Sequence, residues 1–140
     1  MNGAGISRVD KLLFDSFALL RFFQNEPGGD KVKELLRQAI TEDIPRLINA
    51  INVGELVYIT QRRFGAQKKL EMLAHIHRMG FTIIPCPNDL IYRAAELKAR
   101  YPISYADAFA LATALEHSAA LVTGDPEFRQ VEHLVKVVWV

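Results

Sequence analysis

The sequence predicts an α/β sandwich, with a central, mostly parallel sheet of four to five strands and helices on both faces. Three observations carry this expectation. Short apolar, β-type runs alternate along the chain with stretches of helical periodicity. The 140 residues are 50% hydrophobic and 24% charged, enough to build one core and too apolar for disorder. No internal repeat, low-complexity tract or linker divides the chain, so residues 1–140 read as one domain with a short N-terminal extension over residues 1–10.

Lys11 to Asp15 reads as a buried strand, with Leu12, Leu13 and Phe14 in succession before an acid. A helix follows through Ala18, Leu19, Leu20, Phe22 and Phe23 and is broken by Asn25-Glu26-Pro27-Gly28-Gly29. A second helix, from about Asp30 to Ile40, places Val32, Leu35, Leu36 and Ala39 on one stripe. An extended segment near Leu47 and Ile48 leads into a third helix that ends around Arg63, before Gly65. A fourth carries Met72, Leu73, Ile76 and Met79 and stops at Gly80. Phe81 to Pro85 is the next strand, and Asn88 is expected to cap a fifth helix that reaches Tyr101, before Pro102. Ser104 to His117 forms an alanine-rich sixth helix whose small side chains allow close packing. Ala120 to Val122 and the β-branched run Val135 to Val140 complete the strands.

Composition narrows the function. With 17 basic and 16 acidic residues the net charge is +1, so binding of nucleic acid must come from a local patch rather than from bulk charge. No apolar run approaches the roughly 18 residues needed to span a bilayer. The start, Met1-Asn2-Gly3-Ala4-Gly5, lacks the basic-then-apolar order of a secretion signal, and a cytoplasmic location with no membrane partner is expected. The single cysteine, Cys86, lies between Pro85 and Pro87 and reads as a packed thiol rather than a nucleophile.

In parallel sheets, functional groups gather beyond the carboxyl ends of the strands. Asp15 ends the first strand, and Asp125 follows Leu121-Val122-Thr123 after one glycine. Glu55 and Asp107 stand near helix starts. Each acid also has a purely structural reading. Ser104-x-x-Asp107 and Asn52-x-x-Glu55 match the capping-box spacing, Asp15 can cap its own helix, and Gly124-Asp125-Pro126 can be only a turn. Convergence would weaken those readings, because clustered carboxylates repel and stay protonated unless a cation offsets their charge. An all-oxygen set selects a hard ion such as Mg²⁺ or Mn²⁺. The histidines offer no competing zinc site: His75 and His77 point to nearly opposite sides of a helix, and His117 and His133 stand alone.

Four blocks resemble the PIN-domain superfamily, and within it the VapC-type toxin ribonucleases. They are Leu13-Phe14-Asp15-Ser16-Phe17-Ala18-Leu19-Leu20, Ile51-Asn52-Val53-Gly54-Glu55-Leu56, Ile103-Ser104-Tyr105-Ala106-Asp107-Ala108-Phe109-Ala110-Leu111-Ala112-Thr113-Ala114, and Leu121-Val122-Thr123-Gly124-Asp125-Pro126-Glu127-Phe128. Order and spacing agree from about Lys11 to Val140, and the third block is the most specific. The resemblance implies a PIN fold and a metal-dependent endoribonuclease, using Mg²⁺ or Mn²⁺ to hydrolyse RNA to 5′-phosphate and 3′-hydroxyl ends. It assigns the acidic site to Asp15, Glu55, Asp107 and Asp125. Asp15, Asp107 and Asp125 would be metal ligands, Glu55 a ligand or the group that orients the attacking water, and Ser16, Asn52, Ser104 and Thr123 polar supports. It also implies a homodimer and an antitoxin protein that blocks the site. Phe17 departs from the pattern, standing where related proteins usually carry a small polar residue.

For the RNA, the densest basic cluster is Arg62, Arg63, Lys68 and Lys69, which can hold backbone phosphates beside an acidic pocket, and Arg21 is a second candidate. A helix C-terminus and a solvated face explain the same residues without function. Two alternatives within the fold remain open: an RNA-processing nuclease outside toxin–antitoxin systems, and a non-catalytic interaction module. A receiver-type signalling domain fits poorly, because Asp15 is followed by Ser16 rather than by a second acid.

Overall fold

Apolar residues in short runs form the central strands of this chain, which are covered on both faces, whereas the edge strand Thr82–Ile84 is largely exposed. The computed structural model describes residues 9–140, so most of the expected extension, and the segment read for a secretion signal, lies outside the described residues. The strands are β1 (Leu12–Phe14), β2 (Arg46–Asn49), β3 (Thr82–Ile84), β4 (Ala120–Thr123) and β5 (Val137–Trp139). All pair in parallel, in the order β3-β2-β1-β4-β5. In register, Leu13 of β1 lies between Leu47 and Leu121, and Phe14 pairs with Val122.

The pleat divides these side chains between two cores. Leu12, Phe14, Ile48, Ala120 and Val122 pack beneath α1 (Ser16–Phe23), α2 (Gly29–Thr41), α3 (Ala50–Phe64) and α4 (Ala66–Arg78). Leu13, Leu47 and Leu121 pack on the other face, against α5 (Asn88–Arg100), α6 (Tyr105–His117) and a 3₁₀ helix, Pro126–Val131. Ala108 through Ala114 of α6 are all buried, since this helix lies between the sheet and α5 and its small residues let both approach. Truncating a fully buried leucine such as Leu13 should cost about 2–5 kcal/mol. No helix among the described residues is long and apolar enough to cross a membrane.

The expected α/β/α sandwich is the observed fold, with differences at element ends. The third strand is confined to Thr82–Ile84 rather than Phe81–Pro85. Phe81 turns its ring edge-on to Phe14, centroids 5.2 Å apart, and Pro85 has no N–H for the ladder. The last strand begins at Val137 and ends at Trp139, short of the expected Val135–Val140. Asn88 does not cap the fifth helix: Pro87 holds the cap position, and Asn88 is the first helical residue. Gly124-Asp125-Pro126 is more than a turn, because Asp125 caps the 3₁₀ helix that Pro126 opens.

Candidate active site

The carboxyl ends of β1, β2 and β4 lie side by side, and the chain leaving each begins a helix. Asp15 follows β1 and caps α1, its Oδ1 accepting the Ala18 N–H at 2.8 Å. Its other oxygen, Oδ2, accepts from the hydroxyl of Thr123, the last residue of β4. The same hydroxyl accepts the Asp125 N–H at 3.0 Å. One threonine therefore ties two acids that lie 110 positions apart to adjacent strand ends.

Glu55 comes from α3, and its Oε1 accepts from Ser16 Oγ at 2.7 Å and from Asn52 Nδ2 at 3.1 Å. Asn52 is buried and donates a further bond to the Ala106 carbonyl at 3.3 Å, which joins α3 to the start of α6. The Asn52-x-x-Glu55 spacing is thus not a capping box. The cap of α3 is Asn49, three residues earlier, whose Oδ1 accepts the Ile51 N–H at 2.7 Å. Asn49 is fully buried, donates to Thr113 Oγ1 at 2.9 Å and accepts from the Cys86 thiol at 3.2 Å. Cys86 is partly buried, with its Sγ engaged by this bond.

Ser104 caps α6 by accepting the Asp107 N–H at 3.1 Å. In a capping box the Asp107 carboxylate would return the bond to the Ser104 N–H. Instead, Glu127 Oε1 takes that N–H at 3.2 Å, so Asp107 is free to face the other acids. Carboxylate oxygens of Asp107, Asp125 and Glu127 lie within 4.8 Å of one another. Glu127 was visible in the sequence only as part of a motif, because its link to Ser104 spans 23 residues.

The electrostatics follow from this crowding. Burial pushes the Asp15 carboxyl up from 3.8 to about 7, aided by the charges of Asp125 and Glu55 and opposed by the Thr123 and Ala18 hydrogen bonds. Burial also raises Asp107, to about 9, followed by its hydrogen bond with Glu127 and the charges of Asp125, Asp15 and Glu127. Acids held this far from their ordinary range mark a place where a cation would replace protons. The donor set is carboxylate and hydroxyl oxygen, without cysteine or histidine, which suits a hard divalent ion. Asp15, Asp107 and Asp125 would hold it, and the residues present fit it.

None of the basic candidates bonds to these acids. Arg21 donates to the Pro27 carbonyl and lies over the Phe17 ring at 4.5 Å, packed into the α1–α2 turn. Arg62 and Arg63 are exposed near the end of α3, with Arg62 over Tyr58 at 5.4 Å and Arg63 donating to Gln24 at 2.7 Å. Lys68 pairs with Glu71 at 3.4 Å. A groove of about 410 Å³ lined by Phe23, Phe64, Met72 and His75 opens between α1, α3 and α4, but it contains none of the converging acids.

The chain matches the PIN domain family over residues 12–134. No curated protein sequence matches it. Among solved structures it is similar to VapBC2 from Rickettsia felis bound to a DNA fragment from its promoter (TM-score 0.75, 18% identity, 92% of this chain and 98% of that one). It is also similar to VapC20 from Mycobacterium tuberculosis, a toxin that cleaves the sarcin-ricin loop (TM-score 0.74, 16% identity, 86% and 95%). A toxin–antitoxin complex from Klebsiella pneumoniae superposes with TM-score 0.67 at 25% identity, over 93% and 100% of the two chains. With the sheet order, the converging acids and a match along most of its length, the chain belongs to the PIN domain family.

Proposed function

We propose that the protein is a metal-dependent endoribonuclease, the toxin of a toxin–antitoxin pair, acting in the cytoplasm as a homodimer and held inactive by an antitoxin protein. The observation that carries the nuclease reading is the convergence of Asp15, Glu55, Asp107 and Asp125, two of them with strongly raised pKa values, at one end of the sheet. The toxin reading is supported by structural neighbours described as VapBC and toxin–antitoxin complexes.

A bound Mg²⁺ or Mn²⁺ supplies an acidified water and offsets the charge that develops on the phosphate. Asp15, Asp107 and Asp125 hold the ion's place, Asp15 and Asp125 being aligned by Thr123. Ser16 and Asn52 fix Glu55, which orients the attacking water and accepts its proton. Attack in line with the departing 3′-oxygen leaves a 5′-phosphate and a 3′-hydroxyl.

The test is cleavage of a panel of structured RNAs by wild type and Asp107→Asn, with Mg²⁺, Mn²⁺ or EDTA. Cleavage that needs the metal and is lost in the folded variant is expected. Undiminished cleavage by Asp107→Asn would remove the metal-site reading.

A further inference from the structure

Glu127 departs from its surroundings in one respect: it bonds to both halves of the acidic site while belonging to neither strand end. Its side chain accepts the Ser104 N–H at 3.2 Å, and its own N–H donates to Asp125 Oδ1 at 2.9 Å. The segment that carries it is anchored on both sides. Pro126 fixes the entry to the 3₁₀ helix, Phe128 is fully buried in the α5–α6 core, and Gln130 donates to the Pro102 carbonyl at 3.4 Å. Glu127 is therefore presented to the start of α6 by a fixed scaffold, although it is itself exposed.

At the start of α6, two groups compete for one N–H. Ser104 and Asp107 have capping-box spacing, and a carboxylate at the third helical position ordinarily turns back to the cap residue's N–H. A bond of that kind would draw Asp107 toward Ser104 and away from Asp15 and Asp125. Glu127 occupies that N–H, leaving Asp107 with only the forward half of the box, the bond from its own N–H to Ser104 Oγ at 3.1 Å. We infer that Glu127 is a positioning residue for the acidic site: it caps Ser104 in place of Asp107, and by its backbone bond sets the Asp125 carboxylate at the same time. The inference rests on the metal-site reading above. It adds a fifth residue, outside the four acids that the resemblance assigns. The Glu127 carboxylate also hydrogen-bonds Asp107 and lies within 4.8 Å of the Asp107 and Asp125 oxygens, but the positioning role requires its acceptor oxygen at Ser104 and not its negative charge.

That last distinction makes the role testable. Glu127→Gln keeps the Oε1 acceptor and removes the charge, whereas Glu127→Ala removes both. Residues that orient metal ligands without touching the metal typically change affinity by about 10–100-fold. Mn²⁺ alone is the probe, titrated into wild type, Glu127→Ala, Glu127→Gln and Asp107→Asn by calorimetry, with amide exchange at Ser104 followed in the metal-free proteins. The expected result is Mn²⁺ affinity about tenfold weaker in Glu127→Ala, with faster exchange at Ser104, and both restored toward wild type in Glu127→Gln. If Glu127→Ala binds Mn²⁺ like wild type, or Glu127→Gln binds as weakly as Glu127→Ala, the positioning role is overturned, the second outcome assigning the charge itself to the ion. Wild type that binds Mn²⁺ but cleaves no RNA would overturn the ribonuclease reading while the Glu127 comparison still stands. Wild type that binds no Mn²⁺ overturns both.

Discussion

The ring of Phe17 lies so close to Gly124 that a β-carbon built there would stand 2.9 Å from Phe17 Cε1 and 2.8 Å from the Val140 carbonyl oxygen. Gly124 joins Thr123 to Asp125, two residues of the acidic site. The large residue at position 17 and the absence of a side chain at position 124 are thus complementary. This gives Phe17 a packing role beside the site.

Gly124→Ala is accordingly expected to destabilise the protein by about 1–3 kcal/mol, the usual cost of overfilling a packed position. Phe17→Ala removes one of the two close neighbours, so the Gly124→Ala penalty should be smaller in the Phe17→Ala background. Denaturant midpoints of the wild type, the two single variants and the double variant give the coupling directly. Strict additivity would show that the two residues do not share this space.

The raised carboxyls make stability depend on pH in a stated direction. An unfolded chain releases its Asp protons near pH 3.8, whereas the folded protein retains them to about 7 at Asp15 and about 9 at Asp107. The native state then binds more protons than the unfolded one, so these two groups lower stability as pH rises through that window. The metal-free melting temperature should fall between pH 5 and pH 8 by this contribution. Mn²⁺ competes with the same protons, so the stabilisation it confers should be larger at pH 8 than at pH 6. Asp107→Asn should melt about 2 °C or more above metal-free wild type at pH 8 and gain little from Mn²⁺. Scanning calorimetry across pH, with and without the ion, checks both signs.

Thr123→Val keeps the shape of the side chain and removes the donor to Asp15 Oδ2 and the acceptor for the Asp125 N–H. Leaving buried partners unmatched should cost about 1–3 kcal/mol. Because the Thr123 bond lowers the Asp15 pKa, its loss should push that carboxyl further up. The acid limb of the cleavage profile should move to higher pH in this variant. A pH–rate profile identical to wild type would show that Asp15 does not set that limb.

The sheet and its two cores were legible because periodicity is a local signal. Leu12-Leu13-Phe14 and the buried stripe of α2 can be read residue by residue. Asp15, Glu55, Asp107 and Asp125 could be singled out for the same reason, each carried by a short motif. Asp15, Asp107 and Asp125 stand at element boundaries, while Glu55 lies inside α3, which begins at Ala50. The cap positions were less legible. Asn52-x-x-Glu55 has the spacing of a box, but Ser16, 39 residues away, competes for the Glu55 carboxylate, and Asn49 holds the cap. Asn49 and Glu127 escaped notice because their partners, Thr113 and Ser104, are supplied by the tertiary fold at separations of 64 and 23 residues.

The arginines separate by what already holds them. Glu55, Tyr58 and Arg62 are spaced three and four residues apart on α3 and so share one stripe, with Arg62 about 10 Å along the axis from Glu55. Arg62 is exposed and steadied over the Tyr58 ring, with no carboxylate partner among the described residues to hold it. Arg21 is bound to the Pro27 carbonyl and packed over Phe17. Arg62→Glu should therefore weaken RNA binding and reduce the slope of log affinity against log salt by about 1, leaving the melting temperature near wild type. Arg21→Glu should lower the melting temperature, because it removes the α1–α2 tie, and leave the salt slope of any folded fraction unchanged. Filter binding to one cleaved RNA at several salt concentrations, with thermal melts of the same samples, distinguishes the two. An unchanged slope in Arg62→Glu would mean that the RNA backbone takes another path from the acids.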